Sequence, residues 1–297
     1  MSKKITFPYH PQYPSVADLR KKAKSRIPKF AFDYLEGGCN EGLNLARNEN
    51  DFDNIYLKPN YLKAVECPVL VVLVDVPAFG LRYKEIKSGL SIPPKMSINN
   101  ILQAFARPLW GIKTLQHGIP SFATLKPYME KGMDMSQLGQ FMNKTFTGKV
   151  DIEKVSAIRD LWKGPLVLKG IATDEDMQAA IQIGADGVIV SNHGGRQIDA
   201  GESSINSLIK LANNPLYKSK LKIMLDGGIR SGVDLARAHA VGSEFNFMGR
   251  PFMYGVGALG NEGGDHTINM FKTHLYQIMQ QLTIEKVTQF PDRLLKP

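Results

Sequence analysis

Cysteine is nearly absent: Cys39 and Cys67 are the two thiols in 297 residues, far apart and in no metal or redox spacing. That pattern argues against a disulfide scaffold and against a structural metal site, and it predicts a reducing compartment, the cytoplasm. Long apolar runs are missing too. The opening MSKKITFPYHPQYPSVADLR offers no signal-peptide core, and no stretch reads as a membrane span. Acid is in deficit, with 28 Asp and Glu against 37 Lys and Arg, a net charge of +9. What remains is ordinary for a folded protein, 43% hydrophobic and 22% charged, and long enough for one large domain or two small ones.

The positive excess is uneven. Between Leu81 and Val150, ten Lys/Arg, among them Arg82, Lys84, Lys87, Lys95 and Lys113, stand against Glu85, Glu130 and Asp134, a local excess of about +7. Phe79, Leu90, Met96, Ile101, Leu102, Phe105, Leu109 and Trp110 are interleaved with them. Such a basic and apolar loop, 78–150, can dock on an anionic membrane surface, peripheral to its inner face. A solvated basic loop with its own small core is the plainer reading. No nucleic-acid-binding module accompanies the charge, so nucleic acid is not an expected partner.

The second half has a βα rhythm. PLVLKG (165–170), GVIVSN (187–192), KIMLDGG (222–228) and EFNFMG (244–249) are short apolar runs ending in glycine or a polar residue, each followed by a helical pattern. Thr173 and Ser231 each read as an N-cap with an acid three residues on, Asp176 and Asp234. Each lies 11 residues before a glycine, Gly184 or Gly242, that ends the helix. This repetition predicts an α/β fold of TIM-barrel type with parallel strands. An earlier strand, PVLVVLVDVP (68–77), is followed by a long connection that closes with a helix at 151–162. Residues 1–60 predict a helical segment packed outside a barrel domain at 61–297. Five strands are legible where a closed barrel needs eight, so the barrel is expected to be incomplete.

Barrel chemistry sits at the C-terminal ends of strands, which here present Asp75, Lys169, His193 with Arg196, Asp226 with Arg230, and Gly249 with Arg250. DGGIRSG and MGRPF each put glycines and an arginine before a helix N-terminus, an arrangement that suits a phosphate; tight turns alone are the plainer alternative. Lys169 ends an apolar strand, so its ammonium needs a partner, and a negatively charged reduced flavin would be one. His193 can accept a proton near neutral pH, and Arg196 offers a fork for a carboxylate. The remaining histidines, His10, His117, His239, His266 and His274, read as structural or surface residues.

SNHGGRQIDAGESS, LVLKGIAT, DGGIRSGVDLARAHAVG, FMGRPFMYGVGALG and FDYLEGG together resemble the FMN-dependent α-hydroxy acid dehydrogenase/oxidase family, which includes L-lactate dehydrogenase and glycolate oxidase. The resemblance implies a TIM barrel with FMN at its mouth and a small 2-hydroxy acid, lactate foremost, as substrate. It implies that His193 is the base, that Arg196 and Arg82 hold the carboxylate, and that Tyr34 touches the substrate. Lys169 and Ser191 would serve the flavin, and Asp226, Gly228, Arg230, Gly249 and Arg250 its ribityl phosphate. Electrons would leave to a quinone, a cytochrome or oxygen, and a homo-oligomer is expected. After YLKAVECPVL the chain passes to VVLVDVP, which resembles the family's fourth strand, so the first three are skipped. Two readings follow: an FMN-dependent oxidoreductase, or a shortened relative that only binds FMN or phosphate or acts as an interaction remnant.

Overall fold

The computed structural model describes residues 10–51, 69–78, 80, 82–88, 97–117 and 150–295. Its centre is a five-stranded parallel sheet in the order β1-β2-β3-β4-β5. The strands are β1 (Leu70–Leu73), β2 (Leu166–Ile171), β3 (Gly187–Val190), β4 (Lys222–Asp226) and β5 (Phe245–Phe247). Every strand anticipated from the sequence is present, and neighbours in the chain are neighbours in space. A closed barrel of this type takes eight strands, and among the described residues none joins β5 back to β1.

The two-residue period of the strands separates two faces. Leu166, Leu168, Val188, Val190, Ile223 and Leu225 point outward into the main core, where the helices cover them. Val71, Leu73, Val167, Lys169, Ile189, Met224, Asp226 and Phe247 alternate with them and form the inner face. In β2–β4 that face is shielded, but Val71 is 44% exposed and Phe245 48%. The apolar lining is therefore bare at both edges of the sheet.

Helices α1 (Val16–Arg26), α2 (Lys29–Glu36) and α3 (Leu43–Asn50) precede the sheet. Ser15 starts α1 with a full capping box: its hydroxyl accepts from Asp18 N at 3.2 Å, and Asp18 accepts from Ser15 N at 3.1 Å. Val16, Leu19 and Ala23 then bury one helical stripe in the main core. The expected boundary at residue 60 lies outside the described residues. Of the expected loop 78–150, the described part contains α4 (Tyr83–Lys87), α5 (Ile98–Phe105) and α6 (Pro108–His117), and 118–149 lies outside the description.

Helices α7 (Ile152–Leu161), α8 (Asp174–Ile183), α9 (Ser204–Ala212), α10 (Pro215–Lys220), α11 (Gly232–Ala240), α12 (Arg250–Leu259) and α13 (Gly263–Gln281) complete the outer layer. Thr173 and Ser231 do cap α8 and α11. The return half of each expected box is displaced by one residue, because Asp176 accepts from Ala172 N at 3.3 Å and Asp234 from Arg230 N at 2.9 Å. Gly184 ends α8 in the left-handed conformation, whereas α11 ends at Val241 with Gly242 just beyond it. His239 on α11 is structural, as its sequence position suggested. Burial lowers it to about 4, so Nδ1–H donates to Ser243 O at 2.6 Å and Nε2 accepts from Asn246 at 3.0 Å.

Candidate active site

The C-terminal ends of the strands open into a cavity of about 580 Å³. Lys169, His193, Arg196, Asp226, Gly228, Arg230, Gly249 and Arg250, all singled out in the sequence, line it. Apolar walls come from Val71, Leu73, Phe247, Met248 and Met253. The cavity thus joins a polar floor to an apolar side, and its size suits a cofactor with a small substrate.

His193 sits in the left-handed backbone region at φ 57, followed by Gly194 at 64 and Gly195 at 72. Histidine tolerates that region better than most residues, and such strain concentrates at functional sites. The loop is fixed from outside the sheet. Asn192 exchanges amide hydrogen bonds of 2.6 Å with Asn48, and donates to Asn44 at 3.0 Å. Asn44 and Asn48 are one turn apart on α3 and fully buried. Their roles were missed in the sequence, where two asparagines at i, i+4 are the one signal present.

The His193 ring meets Asp75 at the end of β1, with Nδ1 to Oδ1 at 3.1 Å. A carboxylate accepts, so this contact puts the proton on Nδ1 and leaves Nε2 as the basic ring nitrogen. Asp75 was visible at a strand end but carried no role in the sequence. Gly170 makes room for it: that residue has φ +106, and a Cβ there would lie 2.4 Å from Asp75 Cβ. The other Asp75 oxygen, Oδ2, is buried without a partner among the described residues.

Arg196 and Arg82 converge on Glu85, at 3.5 and 3.2 Å. Two guanidiniums share one carboxylate, which leaves one positive charge over, and Arg82 Nε is buried without an acceptor. Burial pushes Arg196 down, with the Arg82 charge acting the same way. One monocarboxylate would relieve both conditions. Arg196 also donates to Tyr34 O at 2.8 Å and lies 5.3 Å over the Tyr34 ring. The structure therefore brings Tyr34, Arg82 and Arg196 together; of the three, Arg196 lines the cavity with His193, and Tyr34 and Arg82 stand behind it. Glu85 is the member that the sequence did not reveal, since it counted there only as one acid in a basic stretch.

At the floor, Lys169 pairs with Asp226 at 2.5 Å and donates to Ser191 Oγ at 2.9 Å. Ser191 in turn donates to Asp226 Oδ1 at 2.5 Å. The half-buried ammonium thus finds its counter-charge within the chain. Asp226, tied to the phosphate by resemblance, lies with Lys169 and Ser191, and a carboxylate there would repel a phosphate. Its free capacity suits hydroxyl donors instead.

The β4 and β5 ends carry the anion features. Gly227 and Gly228 both have positive φ, 95 and 84, which turns the backbone sharply after Asp226. Gly249 begins α12 with no side-chain cap; Pro251 has no N–H to offer, so the N–H groups left for an anion at that end are those of Arg250 and Phe252. Arg230 donates to Glu49 at 2.7 Å, on the exposed rim. Arg250 is buried and gives its donors to Leu35 O, Gly194 O and Gly37 O at 3.2, 3.0 and 2.9 Å. It pins α12 to α2 and to the His193 loop. Burial first, then the charges of Arg196 and Arg230, push Arg250 down to about 10. Such mutual repulsion of cations is what a bound dianion would offset.

A family model described as FMN-dependent dehydrogenase matches residues 23–68 and 63–297. An L-lactate dehydrogenase of Haemophilus influenzae is 37% identical over 221 residues, 73% of this chain and 56% of that protein. Those of Actinobacillus pleuropneumoniae serotype 5b and Alcaligenes faecalis are 36% and 33% identical, over 76% and 78% of this chain. The chain spans 56% to 61% of the length of these curated relatives. Among solved structures, a monotopic membrane protein, (S)-mandelate dehydrogenase, superposes with a TM-score of 0.84 at 23% identity, covering 96% of this chain and 100% of that one. A mandelate oxidase with (S)-2-phenylpropionate gives 0.69 at 20% identity, covering 94% and 98%. At such identities the likeness is one of fold.

Proposed function

The chain belongs to the FMN-dependent dehydrogenase family, and from that membership we propose that it oxidises an L-2-hydroxy acid, lactate foremost, to the 2-oxo acid. The observation that carries this reading is the pairing of His193 with Asp75 next to the Arg196–Glu85–Arg82 cluster: a base beside a surplus positive charge.

The cavity fits FMN at its phosphate end: the glycine turn at 227–228, Arg230 and the uncapped start of α12 would hold the phosphate, and Gly249 leaves its approach open. Asp226 and Ser191 would take ribityl hydroxyls, with Lys169 towards the ring. When bound, FMN supplies the acceptor for the two electrons and the hydrogen that leave C2 of the substrate. Arg196 and Arg82 orient the carboxylate, and Tyr34 closes that side beneath Arg196. His193 Nε2 takes the hydroxyl proton. Asp75 holds the ring in the tautomer that can accept it, and balances the charge it then carries. The electrons pass on to a quinone, a cytochrome or oxygen. Anaerobic mixing of the FMN-loaded protein with L-lactate, D-lactate and (S)-mandelate tests the reading. Flavin absorbance is expected to bleach with an L-2-hydroxy acid and to persist with D-lactate; persistence with all three would overturn it.

The position at an anionic membrane surface is part of the same proposal. α5 and α6 carry Ile98, Ile101, Leu102, Phe105, Leu109, Ile112 and Leu115, all exposed, and Leu115 is 85% so. So many exposed apolar side chains on two successive helices support an interaction site there. No helix among the described residues is long and apolar enough to cross a membrane. Vesicles containing phosphatidylglycerol should carry the protein upward in a flotation gradient, and Leu102→Asp with Phe105→Asp should leave it at the bottom. Flotation unchanged by both substitutions would remove the membrane from the account. The bare inner face at β1 and β5 favours a homo-oligomer that covers it.

A further inference from the structure

Beside α1 and α2 lies a separate groove of about 360 Å³. Five cations line it, Arg20, Lys24, Lys29, Lys84 and Arg107, against two carboxylates, Asp33 and Glu36. Both carboxylates are committed. Lys29 pairs with Asp33 one turn along α2. Glu36 receives Arg20 and the Tyr254 hydroxyl, the latter at 2.5 Å. Burial raises the Glu36 carboxyl, but those hydrogen bonds, with Lys84 nearby, hold it below the ordinary carboxylate range. It therefore stays ionised, with Arg20 and Tyr254 as its hydrogen-bond partners and the Lys84 charge nearby.

Lys24, Lys84 and Arg107 are left with no salt bridge among the described residues, although they come from three different segments: α1, α4 and the α5–α6 junction. Arg107 spends one guanidinium donor on Ala106 O at 3.1 Å, and its Nε is buried without an acceptor. Three like charges held around one concavity repel each other, and a buried N–H without a partner is unfavourable. An anion between the three segments would offset that repulsion and accept the unpaired donor.

We propose that this groove is a binding site for a phosphate-class anion, separate from the strand-end cavity. The two sites are back to back. Glu36 and Lys84 face the groove, while their chain neighbours Gly37 and Glu85 face inward, where Gly37 O accepts Arg250 and Glu85 holds Arg82 and Arg196. None of the residues lining the groove lines the strand-end cavity. The exposed apolar faces of α5 and α6 adjoin it through Arg107, so either a free phosphate or the phosphate of a lipid headgroup matches its chemistry.

The test titrates the full chain, with FMN added to fill the strand-end cavity, with inorganic phosphate followed by phosphorus NMR and, separately, with phosphatidylcholine vesicles containing phosphatidic acid. Saturable phosphate binding that weakens at least about tenfold in Lys24→Gln/Lys84→Gln/Arg107→Gln supports a site for the free anion. Binding confined to phosphatidic acid vesicles, with the same loss, assigns the groove to a lipid headgroup. The charge-keeping Lys24→Arg/Lys84→Arg/Arg107→Lys should retain binding, which separates loss of charge from loss of fold. Equal binding by the parent and the neutral variant, or no binding of either probe, overturns the proposal. If the chain takes up no FMN, the same titration in an Arg230→Gln background weakens the strand-end site instead, so failure of the flavin reading leaves this test standing.

Discussion

Replacing His193 by asparagine is expected to reduce hydroxy acid oxidation by roughly 10²–10⁴-fold, the usual worth of a placed general base, while FMN content stays near that of the parent. Asparagine is the informative choice because it tolerates the left-handed backbone that His193 adopts at φ 57. The loop, tied down by Asn44 and Asn48, should then keep its shape. Asp75→Asn should act in the same direction without touching the base itself. An amide can donate to Nδ1, which would move the ring proton to Nε2 and block the nitrogen that must accept. It would also leave the imidazolium without a counter-charge. Single-turnover reduction of the bound flavin reads both variants. Turnover at the parent rate in His193→Asn would remove this histidine from the mechanism.

Arg230→Gln should weaken FMN binding by about 10- to 100-fold, the equivalent of the roughly 1.5–3 kcal/mol carried by a hydrogen bond to a charged group. Glu49 gives this prediction a second sign. Arg230 now pairs with Glu49 on the rim at 2.7 Å, and a phosphate must compete for the same guanidinium. Glu49→Gln frees it and should tighten FMN severalfold. Opposite shifts in the two variants cannot come from general loss of structure. Flavin fluorescence quenched on titration with protein measures both. Arg250→Ala should also lose FMN, for a different reason: its three carbonyl bonds hold α12, α2 and the His193 loop together.

All five strands and the residues at their tips could be read from the sequence because strand ends are local: an apolar run, a stop, and a polar residue in the next position. The contacts that make the tips work were not legible, because they join distant segments. Asp75 meets His193 across 118 positions, and Arg250 reaches Gly37 across 213. Glu85 looked like an isolated acid in a basic loop until the fold set two arginines around it. Asn44 and Asn48 sit on a short, polar-looking helix, where asparagine usually marks an exposed turn. Lys169 shows the limit from the other side. Its need for a counter-charge was clear from an apolar strand, but Asp226, two strands away, supplies it. The incomplete barrel was countable in the sequence, and the bare Val71 and Phe245 at the two edges of the sheet are its physical consequence.

Comparing FMN with riboflavin on the same protein tests the central claim most directly, since the two differ only in the phosphate. The account places most of the discriminating contacts at Arg230, the 227–228 turn and the start of α12. It therefore predicts that FMN binds and that riboflavin binds at least about tenfold more weakly. Equal affinity for the two flavins, or binding of neither, would contradict a phosphate-anchored flavin site at the ends of β4 and β5.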